Sequence, residues 1–156
     1  MSWVYSCGAG ANYGTALESA LKMGETIHIP SCCYEIEEYI HGPNLQLTPQ
    51  YNVIFFDGND SASRRVEQVY KATRKVSNRA YLISNNPQLS SDDHVLSLSD
   101  TVSSELCPLV YLPFVQLLSF IVSNDLHSIY QHPLLKEFKA IAAAKTENFV
   151  NYDGDD

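Results

Sequence analysis

Basic residues are scarce in this chain of 156 residues, because 10 lysines and arginines stand against 18 aspartates and glutamates and give a formal net charge of −8. This negative surplus opposes adsorption to nucleic acid and to anionic membrane surfaces, so neither is expected as a partner. The N-terminus lacks a basic segment followed by an apolar one, and no run of about 18 apolar residues is free of polar interruptions. The composition predicts a soluble cytoplasmic protein.

Cysteine is also infrequent. The four cysteines, Cys7, Cys32, Cys33 and Cys107, show neither CxxC spacing nor a histidine at the spacing of a metal site, so no metal is expected. The adjacent pair at 32 and 33 could indicate redox chemistry. The simpler interpretation is that all four are buried or partly buried thiols in a reducing compartment.

Apolar segments of strand length and helix length alternate along the chain. Strands are predicted at 3–7, 27–30, 52–56, 80–84 and, as an edge strand, 94–98, and helices at 13–23, 34–41, 62–76, 108–126 and 134–144. This alternation predicts an α/β three-layer sandwich with a five-stranded parallel sheet flanked by helices. The length fits one domain, assigned to 1–145, and the acidic tail at 146–156 is predicted to be disordered.

The predicted helix at 108–126 is nearly all apolar and could be mistaken for a membrane span. Polar residues interrupt or flank it at Glu105, Gln116, Asn124 and Asp125. Its apolar residues run nearly all round the helix, as in a helix buried between layers or at a subunit contact. The helix therefore predicts self-association rather than membrane insertion.

Glycines follow the first predicted strand and precede the first helix. Gly8 and Gly10 allow positive φ angles and close approach of a ligand, while the helix that follows offers N–H groups and the positive end of its dipole. This turn predicts a place for a phosphate or a sugar hydroxyl. The candidate ligand-binding residues here are Gly8, Gly10, Asn12, Tyr13 and Thr15.

Three charged residues, Glu18, Lys22 and Glu25, fall within one narrow sector of the first helix because they are spaced i, i+4 and i+7. That spacing also fits a solvated helix face with ordinary ion pairs. In parallel α/β folds, however, ligands bind beside such glycine turns, and a carboxylate near a lysine is a suitable general base. Glu25 is the strongest candidate because it lies at the helix end.

His41 follows two acidic residues, Glu37 and Glu38, and precedes Gly42 and Pro43. By itself this pattern is typical of a histidine at a helix C-terminus, where the dipole favours positive charge. The other histidines, at 28, 94, 127 and 132, have no convergent partners in the sequence and are interpreted as structural or surface residues.

Three segments taken in order carry a resemblance: GAGANYG at 8–14, ALESALKMGE at 16–25 and YEIEEYIHGP at 34–43. Together they resemble the sugar isomerase (SIS) domain, which has a flavodoxin-like fold. The likeness is closest to the second SIS domain of glutamine–fructose-6-phosphate aminotransferase isomerase modules, and to fructosamine-6-phosphate deglycases and phosphosugar isomerases. It extends from Trp3 to about Lys145.

The resemblance implies a phosphorylated sugar or amino-sugar ligand, no cofactor, and a homo-oligomer. It implies that Glu25 is a general base that moves a proton between C1 and C2 of the open-chain sugar, with Glu18 and Lys22 as charged neighbours. It also implies that His41 assists ring opening in the site of a neighbouring subunit. Lys145 resembles a lysine near the C-terminus of the family.

One departure from the family pattern leaves alternatives open. The serine- and threonine-rich phosphate loop of double-SIS enzymes is expected mainly in a first SIS domain, and this chain starts just before its first strand. The sequence could be an excised half, a natural remnant, or a single domain that pairs with another chain. The expected function is phosphosugar isomerisation or ketosamine-6-phosphate deglycation. The alternative is a non-catalytic phosphosugar-binding module or an inactive half of a double-SIS enzyme.

Overall fold

The computed structural model describes residues 3–98, 102–128 and 141. Five parallel strands of this described part form one sheet in the order β2-β1-β3-β4-β5, which confirms the predicted fold class. The elements in chain order are β1 (Trp3–Gly8), α1 (Asn12–Ile27), β2 (Ser31–Glu35), α2 (Ile36–Ile40), β3 (Tyr51–Asp57), α3 (Ser63–Arg74), β4 (Ala80–Ser84), β5 (Val95–Ser97) and α4 (Cys107–Asp125). Short 3₁₀ helices occupy Pro43–Gln46 and Pro87–Leu89.

The sheet is covered on both faces, and the alternation of side chains along β3 shows how. Val53 and Phe55 join the core under α2 and α3, whereas Ile54 and Phe56 join the core under α1 and α4. The Phe55 ring meets the Tyr39 ring edge-on, with centroids 5.7 Å apart. A strand buried on both faces reads as a continuous apolar run, which is why this segment was predictable.

The predicted strand at 27–30 is wrong, because α1 continues to Ile27 and β2 begins only at Ser31. Met23 and Ile27 lie one helical turn apart and are both buried against the sheet, so the helix gains core packing by continuing. His28 then ends the helix in the left-handed region, with φ 60°. Parallel pairing resumes where the Val4 N–H donates to the Pro30 carbonyl, at 3.1 Å.

The predicted helix at 34–41 begins too early, since α2 spans only Ile36–Ile40. Glu35 caps this helix: its carboxylate accepts the Glu37 N–H at 2.6 Å, and the Glu38 carboxylate accepts the Glu35 N–H at 3.4 Å. Such a capping box fixes the first residue of a helix. Residues before Glu35 are therefore free to extend β2 beside β1.

Helix α4 packs on α1 through one stripe of buried residues. Of its two predicted placements, between layers or at a subunit contact, the structure does not show the first. Its buried residues recur every fourth position, at Cys107, Tyr111, Val115, Ser119 and Ser123. Most of its other apolar side chains are exposed, including Phe120 at 62%. By length and composition α4 could cross a membrane, although an exposed apolar helix also fits a subunit contact. Its role in self-association stays a prediction.

Replacing Gly8 with alanine is expected to destabilise the fold by about 1–3 kcal/mol, the range for forced overpacking. An added Cβ would sit 2.4 Å from the Asn12 carbonyl oxygen, a backbone atom in the first turn of α1. Urea denaturation measures the effect. The matched control is Gly14→Ala, where a Cβ meets nothing within 4 Å and better helix propensity predicts no loss. Equal midpoints for Gly8→Ala and the wild type would contradict this packing.

Candidate functional site

The glycine turn lies in a crevice between the loops that follow β1 and β3. These adjacent strands connect in opposite directions, to β2 and to β4, which makes the crevice a topological switch point. The two loops approach closely: a Cβ on Gly58 would lie 2.9 Å from Asn12 Nδ2, and a Cβ on Gly10 would lie 3.5 Å from Asp60 Oδ2. Gly10 adopts a φ of 54° in this turn.

The chemistry of the crevice suits hydroxyl groups better than phosphate. The first N–H groups of α1 were predicted to be free, but the Asn12 and Tyr13 N–H groups donate to the Ala9 and Gly10 carbonyls, at 3.0 and 3.1 Å. The Asp60 carboxylate also faces the turn and repels an anion. Asn12 is buried and accepts the Thr15 hydroxyl at 3.2 Å, so these two residues offer neutral polar groups.

Tyr13 points from the turn towards β2 and not only towards the crevice. Its hydroxyl interacts with the Cys33 thiol, and the neighbouring thiol raises the pKa of Tyr13. The hydroxyl therefore stays protonated and remains able to donate a hydrogen bond. All five candidate ligand-binding residues of the turn lie together around the start of α1: Gly8, Gly10, Asn12, Tyr13 and Thr15.

The charged stripe on α1 forms the predicted cluster. Lys22 Nζ lies 2.8 Å from Glu25 Oε2 and 3.5 Å from Glu18 Oε1, so one ammonium bridges two carboxylates. The hydrogen bond to Glu25 is the main reason that the pKa of Lys22 is raised. The Glu25 side chain is 50% exposed, which leaves the carboxylate open to a ligand. Such exposed pairs contribute only about 0.2–0.5 kcal/mol each to stability.

Glu25 and the glycine turn lie at opposite ends of α1. From residue 12 to residue 25 the helix rises about 20 Å at 1.5 Å per residue. Since α1 starts at the carboxyl edge of the sheet and runs back, its last turn reaches the amino edge. The charged stripe of α1 was expected to lie beside the glycine turn. Glu18, which is near the start of the helix, fits this expectation, but Glu25 does not. Within one chain, the turn and Glu25 do not contact the same small ligand.

His41 lies on the other face of the sheet from Glu25. It ends α2, is exposed, and its Nδ1 lies 2.7 Å from the Glu37 carbonyl oxygen. The Glu37 carboxylate binds the Arg65 guanidinium through two hydrogen bonds of 2.7 and 3.1 Å, and this pairing lowers the pKa of Glu37. α2 packs with α3 whereas α1 packs with α4, so Glu25 and His41 do not meet within one chain. Lys145 lies outside the described residues.

A buried polar network at the carboxyl edge was missed by the sequence reasoning. The fully buried Asp57 carboxylate accepts hydrogen bonds from the Ser63 hydroxyl, the Ser84 hydroxyl at 2.7 Å and the Asn59 N–H at 3.1 Å. Tyr111 of α4 donates to the Asp57 carbonyl at 2.7 Å. An aspartate directly after an apolar strand, with Gly-Asn-Asp behind it, was the signal in the sequence. The network joins β3, β4, α3 and α4 at one point.

All four cysteines are free thiols. They were predicted to be buried or partly buried, and three of them are. Cys7 and Cys107 are buried and Cys33 is half-buried, but Cys32 is exposed on the edge strand. Burial raises the pKa of Cys7, Cys33 and Cys107, so these three are poor nucleophiles near neutral pH. Across the part of the chain that the structure describes, no group of three His, Cys, Asp or Glu side chains could hold a metal ion.

Comparison with known proteins settles the family. The profile of the SIS domain matches residues 3–101, the part of the chain that holds the sheet, α1, α2 and α3. The chain belongs to the SIS domain family. A glutamine–fructose-6-phosphate aminotransferase (isomerizing) of Methanothermobacter thermautotrophicus is 31% identical over 122 residues, which are 76% of this chain and 20% of that protein.

Solved structures show the same fold. A Clostridium difficile 630 protein provisionally assigned as a phosphosugar isomerase superposes with a TM-score of 0.76 at 21% identity, over 92% of this SIS chain and 40% of that chain. The tagatose-6-phosphate ketose/aldose isomerase of Escherichia coli gives a TM-score of 0.70 at 19% identity, over 80% of this chain and 36% of that one. The chain thus spans about a fifth of the curated relatives' length.

Proposed function

We propose that this SIS domain acts in the cytoplasm on a phosphorylated sugar derivative, as a phosphosugar isomerase or a ketosamine-6-phosphate deglycase. Glu25 is the proposed general base. The observation that carries the proposal is the Lys22 ammonium, which holds the Glu25 carboxylate at 2.8 Å while leaving half of that side chain exposed. This carboxylate lies within the region that the family profile matches.

The proposed chemistry needs one carboxylate to move the carbon-bound proton, and a second proton transfer between O2 and O1 of the ligand. Glu25 accepts the proton from C2 of an open-chain aldose, and the electron pair left on C2 forms an enediolate whose charge lies on O1. A proton then moves from the O2 hydroxyl to O1, and Glu25 delivers its proton, or a deuteron exchanged from D₂O, to C1 to give the ketose. Deglycation of a ketosamine passes through the corresponding enolamine, so the same base serves either reaction. Lys22 orients the carboxylate, and Glu18 holds the other side of the Lys22 ammonium, at 3.5 Å.

The proposed site is shared between chains. Glu25 and His41 lie on opposite faces of the sheet, so a ligand meets both only where two chains associate. In this proposal His41 of a neighbouring chain assists ring opening. Gly8, Gly10, Asn12, Tyr13 and Thr15 are about 20 Å from Glu25 along α1, so they bind the same ligand as Glu25 only when they belong to another chain. Lys145, which lies outside the described residues, stays a proposed ligand-binding residue.

A second candidate function is phosphosugar binding without chemistry. The crevice beside the glycine turn favours this second function. Asp60 faces the turn and repels an anion, so the phosphate of the ligand would be held by another domain or chain. A binding module needs no base, so the ion-paired carboxylates of α1 would then be surface charges. The two candidates differ in whether a carbon-bound proton of the ligand exchanges.

Proton exchange on the full 156-residue chain tests the proposal. We expect calorimetry with a panel of aldose, ketose and fructosamine 6-phosphates to identify at least one ligand. We expect NMR in D₂O to show deuterium entering that ligand at C1 or C2. Binding without exchange would favour the module. If neither binding nor exchange is detected, the result would indicate a half-site that requires a first SIS domain.

A further inference from the structure

The second proton transfer of the proposed chemistry, from O2 to O1 of the ligand, has no residue assigned to it. Glu25 is occupied at that stage, because it holds the proton that it took from carbon. His41 lies on the other face of the sheet and is proposed for ring opening. Imidazole is the side chain that most often transfers protons in enzymes. A histidine at the Glu25 end of the domain would therefore complete the chemistry.

The last turns of α1 and α4 are joined beside Glu25. The Ser128 hydroxyl donates to the Thr26 carbonyl at 2.6 Å, and the Thr26 hydroxyl donates to the Lys22 carbonyl at 2.7 Å. Glu25 precedes Thr26, and His127 precedes Ser128, so the Cα atoms of Glu25 and His127 are at most about 15 Å apart. Two extended side chains can contact one small ligand across that distance.

The backbone of His127 is unusual for its residue type. It follows the end of α4 with a φ of 51°, in the left-handed region where glycine or asparagine is common. Its N–H donates to the Asn124 carbonyl at 3.1 Å, and its side chain is exposed. Core packing therefore does not account for a histidine at this position. Residues held in such sparsely populated backbone regions concentrate at functional sites.

The Glu25 carboxylate is drawn towards the side of α1 on which α4 ends. Glu25 Oε2 lies 2.8 Å from Lys22 Nζ. Lys22 and Thr26 lie one helical turn apart on the same face of α1, and Ser128 binds the Thr26 carbonyl. This geometry favours His127 over His28, which is the other exposed histidine at this end of α1.

We infer that His127 moves the proton between O2 and O1 of the ligand whose carbon-bound proton Glu25 moves. This role rests on the proposed function. The protonated imidazole gives a proton to O1 of the enediolate, and the neutral imidazole then takes the proton of the O2 hydroxyl. The electron pair left on O2 forms the C2 carbonyl as Glu25 delivers its proton to C1. Both side chains return to their starting protonation states, so the step needs no further reactant.

Separate measurement of hydrogen exchange and of isomerisation tests this role on the full chain. The protein is incubated in D₂O with glucose, mannose or galactose 6-phosphate, and NMR follows both deuterium at C2 of the aldose and formation of the ketose. Exchange at C2 needs only Glu25, whereas the ketose also needs the second proton transfer. For His127→Asn we expect ketose formation to fall about 10²–10⁴-fold, with C2 exchange changed only a few-fold.

His127→Gly and free imidazole provide the second measurement. Asparagine and glycine both tolerate a φ of 51°, so both variants are expected to fold like the wild type by circular dichroism. Imidazole added to the buffer should restore part of the ketose formation in His127→Gly. The loss of a merely structural contact would not be restored in this way. The matched control is His28→Asn, which removes an exposed left-handed histidine from the end of α1 and should keep wild-type ketose formation.

The outcomes separate this role from the proposed function. Ketose formation that is equal in His127→Asn and the wild type, or that is lost in His28→Asn instead, would overturn the role and leave Glu25 as the base. A parallel loss of exchange and ketose in His127→Gly without imidazole rescue would also overturn it. A wild-type chain that neither exchanges nor isomerises any of the three sugars would remove the proposed function and this role with it.

Discussion

Glu25→Gln is expected to lower turnover of the sugar phosphate by about 10²–10⁴-fold, the usual contribution of a general base. Glutamine has nearly the shape of glutamate, and its amide oxygen can still accept the hydrogen bond from Lys22 that the structure shows at 2.8 Å. What it loses is the ability to accept a proton from carbon. Steady-state turnover and deuterium incorporation at C1 or C2 measure this loss. Calorimetry should show ligand affinity changed only a few-fold.

Glu67→Gln is the control for the loss of one helix ion pair. Glu67 pairs with Lys71 at 3.1 Å on α3, with the i, i+4 spacing that Glu18 and Lys22 have on α1. Both substitutions should change the free energy of unfolding by no more than about 0.5 kcal/mol. Only Glu25→Gln should reduce turnover. Equal turnover in Glu25→Gln and wild type would remove Glu25 from the chemistry.

The alternation of strands and helices was predictable because each central strand is buried on both faces. β3 and β4 read as short apolar runs bounded by polar residues, and the structure confirms both. The errors cluster at residues 27–35, where two contacts decide the outcome. Ile27 stays helical because it packs on the sheet, and Glu35 starts α2 because it caps it. Neither contact is visible in a local pattern of hydrophobicity.

The site was predictable in composition but not in placement. Helical periodicity alone puts Glu18, Lys22 and Glu25 in one sector, and the structure shows them bonded to one another. The distance of Glu25 from the glycine turn follows from the length of α1 and its direction across the sheet. The separation of Glu25 from His41 depends on the strand order, because the crossovers from β1 and β2 put α1 and α2 on opposite faces. Strand order is not a property of any single segment.

These placements favour an assembly over a self-sufficient monomer. Glu25, His41 and the glycine turn are distributed over both faces and both ends of one sheet, so under the proposed function each chain presents parts of sites rather than a whole one. When two identical chains associate through a two-fold rotation, the parts of both chains can combine into two equivalent sites.

Asp57→Ala is expected to reduce the free energy of unfolding by about 3 kcal/mol or more, because each buried polar group left without a partner costs about 1–3 kcal/mol. The carboxylate is the shared acceptor of Ser63, Ser84 and the Asn59 N–H, and alanine removes it while leaving those donors in place. Ser84 is fully buried and water does not replace the lost acceptor easily. Urea denaturation with an unchanged m-value measures the change.

Asp93→Ala is the control, because the Asp93 side chain is 92% exposed and its carboxylate lies 3.9 Å from His94 Nε2. Its removal should alter stability by no more than about 0.5 kcal/mol. Ser84→Ala should fall between the two, near about 1–2 kcal/mol, since it removes the hydrogen bond to Asp57 and the one that the Ser84 hydroxyl accepts from the Asn86 N–H at 3.0 Å, and leaves the Asp57 carboxylate two others. If Asp57→Ala unfolded at the same urea concentration as Asp93→Ala, the network would not be what fixes β3 to β4 at this edge. The graded order of the three variants separates loss of an acceptor from loss of a surface charge.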